Sequence, residues 1–170
     1  MTIAIDDDLP QAVQAMLDRP RHACSGPWPV SREAVQSLAA AIQDPDPRRW
    51  GQQCTAPQTM LSTWTRPARW SPDEALPQKP LQTHYELKEL LGYPVAIVSG
   101  IESHFHAPVI LGATVRSVEL LRSVSAEKDT RLGRGRFWSI EVQYHDEAGV
   151  LLGIEEYECL GYRRAGEPHA

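Results

Sequence analysis

The chain has 170 residues, 42% of them apolar and 23% charged, and a formal charge of -5. That length supports one domain with a real core rather than two, and an acidic balance with scattered basic residues leaves no nucleic-acid footprint. No apolar run is long enough to cross a membrane, and Cys24, Cys54 and Cys159, odd in number and without CxxC spacing, suggest neither a disulfide framework nor a zinc knuckle.

The first eight residues are acidic and lack the basic start and apolar core of a secretory signal, so a cytoplasmic protein is expected. Residues 9–17 carry Leu9, Val13, Met16 and Leu17 at helical spacing, which predicts a short leading helix. Residues 24–29 read as a turn. Ser31 then stands as an N-cap, with Val35, Leu38, Ala39 and Ile42 on one helix face. Asp44-Pro45-Asp46-Pro47 must end that helix, because proline lacks the N–H and displaces the residue before it.

Pro57 opens a second short helix over residues 58–65, where its missing N–H costs nothing. Pro67, Pro72, Pro77 and Pro80 make the next stretch a long irregular loop of the kind that covers or binds. Residues 85–91 read as one or two helical turns closed by Gly92 and Pro94. Strands follow over residues 95–106, interrupted at Gly100, and over 111–125, 136–145 and 150–162. Trp138, Ile140, Val142 and Tyr144 share one strand face, and Asp146-Glu147-Ala148-Gly149 is a hairpin turn. The expected architecture is α+β, with helical elements on one face of three or four antiparallel strands. The division is a helical extension over 1–25, one domain over 26–164 and a frayed tail over 165–170.

Asp44 and Asp46 could serve as paired acid and base, or simply terminate a helix. Glu102, His104 and His106 share a strand face and form a proton relay, a metal site or, as the better expectation, a polar strip towards solvent, a partner or a ligand. His84 and His145 read as surface residues. Met60 and Trp64, four apart on the short helix, line an apolar pocket with Trp70 or pack in the core. Gly133 and Gly135 lack the strand-turn-helix context of a phosphate loop and read as a strand connection. Cys54 has no activating partner in sequence, and no Gly-x-Ser-x-Gly elbow occurs.

The turn at Asp44 to Arg49 resembles a motif of the MaoC-like hot-dog proteins, which hydrate enoyl thioesters. In those proteins a helix-end Asp-x-Asn-Pro-x-His segment supplies an aspartate and a histidine. Asp44 matches the aspartate, Asp46 replaces the asparagine, Pro47 matches, and Arg49 stands at the histidine position. Arginine stays protonated and cannot act as a general base. Residues 30–34, Ala56-Pro57-Gln58-Thr59-Met60, and residues 108–113, 128–135 and 144–149 fall in the family's order, so the resemblance spans residues 26–163.

The resemblance implies a hot-dog fold, a curled antiparallel sheet packed on a short central helix, pairing with a second hot-dog unit. It implies the half that lacks the catalytic pair and makes room for an acyl group, with no catalytic residue of its own. Pro57, Met60, Trp64 and Trp70 are the expected substrate-binding residues, and coenzyme A enters only as part of the substrate, with no other cofactor. The partner's Asp and His would activate water, with an (R)-product, and a helix-start N–H would stabilise the enolate-like oxygen. The Thr59 to Trp64 run resembles the branch that handles bulky steroid-type side chains. The function expected is a noncatalytic, acyl-accommodating subunit of a heteromeric enoyl-CoA hydratase. The alternatives are a self-sufficient homodimeric hydratase using Asp44 with a displaced histidine, or a hot-dog thioesterase, with Asp44, His104 and His106 as the fallback catalysts, and an acyl-CoA-binding scaffold without chemistry.

Overall fold

The computed structural model describes residues 9–66, 72 and 79–164. In chain order these form α1 (Gln11–Gln14), β1 (Arg21–Ser25), α2 (Arg32–Ala41), α3 (Pro47–Trp50), β2 (Thr55–Ala56) and a 3-10 helix (Gln58–Thr65). There follow α4 (Gln82–Leu90), β3 (Val95–Phe105), β4 (Val109–Ile110), β5 (Arg116–Val124), β6 (Lys128–Thr130), β7 (Gly133–His145) and β8 (Leu151–Arg163).

One antiparallel sheet runs in the order β1-β5-β7-β8-β3, with β6 paired to β7, and β2 and β4 form a separate pair. The sheet thus has six strands, more than the pattern of long apolar runs predicted. The alternation of β7 is obeyed: Trp138, Ile140, Val142 and Tyr144 are all buried and face one core. That core also takes Val13 of α1, Val35 of α2, Leu61 of the 3-10 helix and Leu87 of α4. The helical elements therefore cover one face of the sheet, as an α+β hot-dog arrangement requires.

Two corrections concern the start of the chain. Residues 21–25, taken as part of a helical extension and the turn after it, form β1 and pair with β5, so the sheet begins before residue 26. The leading helix is shorter than its pattern, although Leu9, Val13 and Met16 are buried as that pattern demands.

The local signals further on act as their chemistry dictates. Ser31 caps α2 by accepting from the Ala34 N–H at 3.2 Å. Gly92 ends α4 with φ 65°, a left-handed conformation that glycine adopts without strain. Gly133 opens β7 at φ 137°, and a Cβ there would lie 1.9 Å from the Arg163 carbonyl oxygen. The interruption foreseen at Gly100 is a bulge: Val98 pairs with Cys159 and Gly100 with Glu158, which leaves Ser99 as the extra residue. The bulge keeps Val98 and Ile101 on the same side of β3, opposite Cys159 and Tyr157.

Candidate functional site

The Asp-Pro-x-Pro turn is closed on itself by charge. Asp46 caps α3, accepting from the Arg48 N–H at 2.9 Å, and Pro47 takes the first helical position. Its carboxylate also receives two short bonds from the Arg48 guanidinium, and these bonds to Arg48 hold its pKa down at about 2. Asp44 accepts from the Asp46 N–H at 3.0 Å and from Arg49 Nε at 3.3 Å. Arg49 is largely enclosed and donates further to the Thr55 carbonyl oxygen at 3.0 Å and to Thr55 Oγ1 at 3.1 Å. It pins the turn to β2 and offers no free base.

A cavity of about 370 Å³ lies between the 3-10 helix, the start of α4 and the inner face of the sheet. Ser62 and Thr65 bound it from the helix, Val142, Tyr144 and Tyr157 from the sheet, and His84 from α4. Its size falls at the small end of the range of ligand sites. Tyr144 and Tyr157 both donate to Oε2 of the buried Glu155, at 2.9 and 2.5 Å. Burial, followed by the Glu155 charge for Tyr144 and the hydrogen bond to Glu155 for Tyr157, pushes both phenol pKa values upward, so both hydroxyls keep their protons.

His84 corrects the sequence reading, since only 5% of it is exposed and its ring packs 5.4 Å from that of Trp138. Burial lowers its pKa, partly offset by a hydrogen bond to the Ala96 backbone, and its Nδ1 is buried without a partner. A neutral imidazole therefore sits in the cavity wall, with its Nδ1 enclosed. The first turn of α4 is also occupied: the Glu119 carboxylate accepts from the Gln82 and Thr83 N–H groups at 2.9 and 2.8 Å. This carboxylate takes the place at the helix start that an incoming anion or carbonyl oxygen would otherwise use.

The residues expected to bind substrate are dispersed. Pro57 precedes the 3-10 helix and is buried, and Met60 packs in the core rather than against the cavity. Trp64 is buried, with its indole N–H unpartnered, and lines a separate cleft with Trp28, Pro29 and Ala34. Trp70 lies outside the described residues, as does most of the proline-rich stretch. His104 is exposed on β3, 3.5 Å from Glu102 and 4.0 Å from Glu156. His106 is exposed beyond the end of β3, and His145 is half-buried at the end of β7 rather than in the turn. Among the described residues no three His, Cys, Asp or Glu side chains are grouped to hold a metal ion.

No family model matches the chain. A curated protein of Thermomonospora curvata, described as a probable enoyl-CoA hydratase alpha subunit, is 27% identical over 173 residues. The alignment takes in 92% of this chain and 53% of that protein, so the chain spans about half the length of this relative. Among solved structures, the ChsH1-ChsH2 complex from Mycobacterium tuberculosis superposes with a TM-score of 0.72 at 21% identity, covering 92% of this chain and 91% of the matched one. A structure described as a MaoC-like dehydratase reaches a TM-score of 0.55 at 17% identity, covering 88% of this chain and 43% of that one.

Proposed function

We propose, for a chain that is a hot-dog protein of the MaoC-like type, that it is the acyl-accommodating, noncatalytic subunit of a heteromeric enoyl-CoA hydratase. The observation that carries this reading is Arg49. It fills the position where the resemblance expects the histidine, and it is committed to Asp44 and Thr55. A protonated guanidinium in that place can neither take a proton from water nor return one to a carbon. The amides at the start of α4 are likewise spoken for by Glu119. The chemistry then rests with a partner bearing an intact Asp/His pair, and this chain supplies the cavity between its 3-10 helix and sheet.

Binding energy gained there still serves the reaction, because holding the acyl group orients the reacting carbons towards the partner's water. The thioester is that of coenzyme A, by the resemblance and by the description of the curated relative, and no other cofactor is needed. The steroid-type side chain remains the acyl group that the Thr59 to Trp64 run suggests. The complex acts in the cytoplasm.

The partner docks on β3. This eleven-residue strand is an edge of the sheet, and it exposes Val98, Ile101 and Phe105 together with unpaired backbone groups. Charge favours a different chain over a second copy. Glu102 stands directly across from Glu156, with the exposed Glu158 further along β8, so the outer face of this edge is acidic. Two copies meeting there would set like charge against like. A partner with basic side chains along its own edge relieves it.

The test is the native mass and composition of the protein isolated from its own host, with turnover of 2-enoyl-CoA measured for the complex and for this chain alone. Turnover by a two-chain complex and none by the isolated chain is the expected result. A homodimer that hydrates enoyl-CoA by itself would overturn the assignment.

A further inference from the structure

The charged groups around the cavity do not all find partners within the chain. Glu119 is answered by the Gln82 and Thr83 amides, and the buried Glu155 by the Tyr144 and Tyr157 hydroxyls. His22, also on the wall, stands 3.0 Å from Glu86 Oε1. Arg66 and Lys79 differ from these. Both line the cavity and both are exposed, so an incoming molecule can reach them. Lys79 Nζ lies 4.9 Å from the centre of the Tyr85 ring. Burial raises the Tyr157 pKa and the Arg66 charge opposes that rise, so the guanidinium lies near the phenol. Tyr85 and Tyr157 are themselves cavity residues, which sets both cations at its mouth. Among the described residues no carboxylate pairs with either one.

Resting on the reading of this cavity as an acyl site, we infer that its mouth is an anion site, in which Arg66 and Lys79 together hold the oxygens of a carboxylate or phosphate group of the thioester. A guanidinium offers parallel N–H donors to two such oxygens and an ammonium adds a compact charge, so the pair favours an oxyanion over a neutral group. Two parts of a thioester carry that chemistry: a second carboxylate on the acyl group, or the phosphates of coenzyme A. Because both side chains are exposed, the attraction is screened by salt.

The experiment uses the protein with whatever subunit accompanies it from its host. Calorimetry measures binding of hexanoyl-coenzyme A, of hexanoyl-pantetheine, which has no phosphate, and of a ladder of pantetheine thioesters of α,ω-diacids of increasing length. All are saturated, so they do not turn over. An affinity about tenfold above that of hexanoyl-pantetheine is expected for the coenzyme A thioester, if the anion is phosphate, or for one member of the ladder, if it is carboxylate. In either case the gain shrinks at high salt and is lost in the variant carrying Arg66→Gln and Lys79→Gln, whose melting temperature should match the parent's because both positions are exposed. No gain from phosphate or carboxylate, or a gain that the double variant retains, would overturn the inference and leave the acyl site standing. Failure of every thioester to bind would overturn the acyl site itself, and the inference with it.

Discussion

Arg49 and Asp44 meet at 3.3 Å across the turn that ends α2, and the same guanidinium reaches the Thr55 backbone on the far side. The guanidinium thereby clasps a helix end to β2. Arg49→Ala should therefore act on stability rather than on chemistry. It removes two bonds to Thr55 and leaves Asp44 partly enclosed without its cation, a loss of about 1–3 kcal/mol. Denaturant melts of the isolated chain measure it, and a change within the error of the fit would show that the clasp carries no weight.

Asp44→Asn separates the clasp from catalysis. The amide retains an oxygen for the Asp46 N–H, so the turn survives, while any carboxylate chemistry is lost. Turnover by the complex should stay within about twofold of the parent. A fall of a hundredfold would make Asp44 a working base and return the chemistry to this chain.

The acidic edge is tested by Glu156→Lys. Association with the partner should slow and its salt dependence should weaken, because rim charges act chiefly on the encounter rate. Stopped-flow mixing at two ionic strengths reads both quantities. Faster association of the variant would mean that the partner's edge is acidic too.

His84 predicts a pH dependence of stability. Its folded pKa lies below the ordinary 6.5, so the unfolded chain takes up its proton first as the pH falls. Its contribution is complete above about 6.5 and is lost as the pH falls from there through the lowered folded value. The carboxylates with depressed values, Glu86, Glu127, Glu141 and Asp46, act only below their ordinary 4.5 or 3.8, which leaves the window between pH 6.5 and 5 to the histidine. The melting temperature should decline across that window in the parent and change less in His84→Asn. Parallel profiles for the two proteins would remove His84 as the cause.

What could be read in advance depended on how local its cause was. The β7 alternation, the Ser31 cap, the proline at the 3-10 helix and the glycine after α4 are each decided within a few residues, and each stands where its pattern placed it. The strand β1 has no such mark: Arg21-His22-Ala23-Cys24-Ser25 neither alternates nor favours a strand, and it is extended because β5, nearly a hundred residues on, offers it an edge. The cavity is less local still. Ser62, His84, Tyr144 and Tyr157 come from four elements, and nothing around His84 in sequence foretells that Trp138 will lie against its ring. The resemblance pointed to the turn at Asp44, but the ion pairs that close it needed the fold.

The Glu119 carboxylate that caps α4 lies 36 residues beyond Thr83, on a strand made after the helix. α4 is nine residues long, too short to persist alone, and its entry residue Leu81 is held at φ 61° with no side-chain cap of its own. The helix thus lacks its starting contact until β5 is in place. In time-resolved hydrogen exchange during refolding, the amides of Gln82 and Thr83 should gain protection with the β5 strand rather than ahead of it. The order of assembly then runs from the sheet to the helix, so the wall that carries His84 closes last.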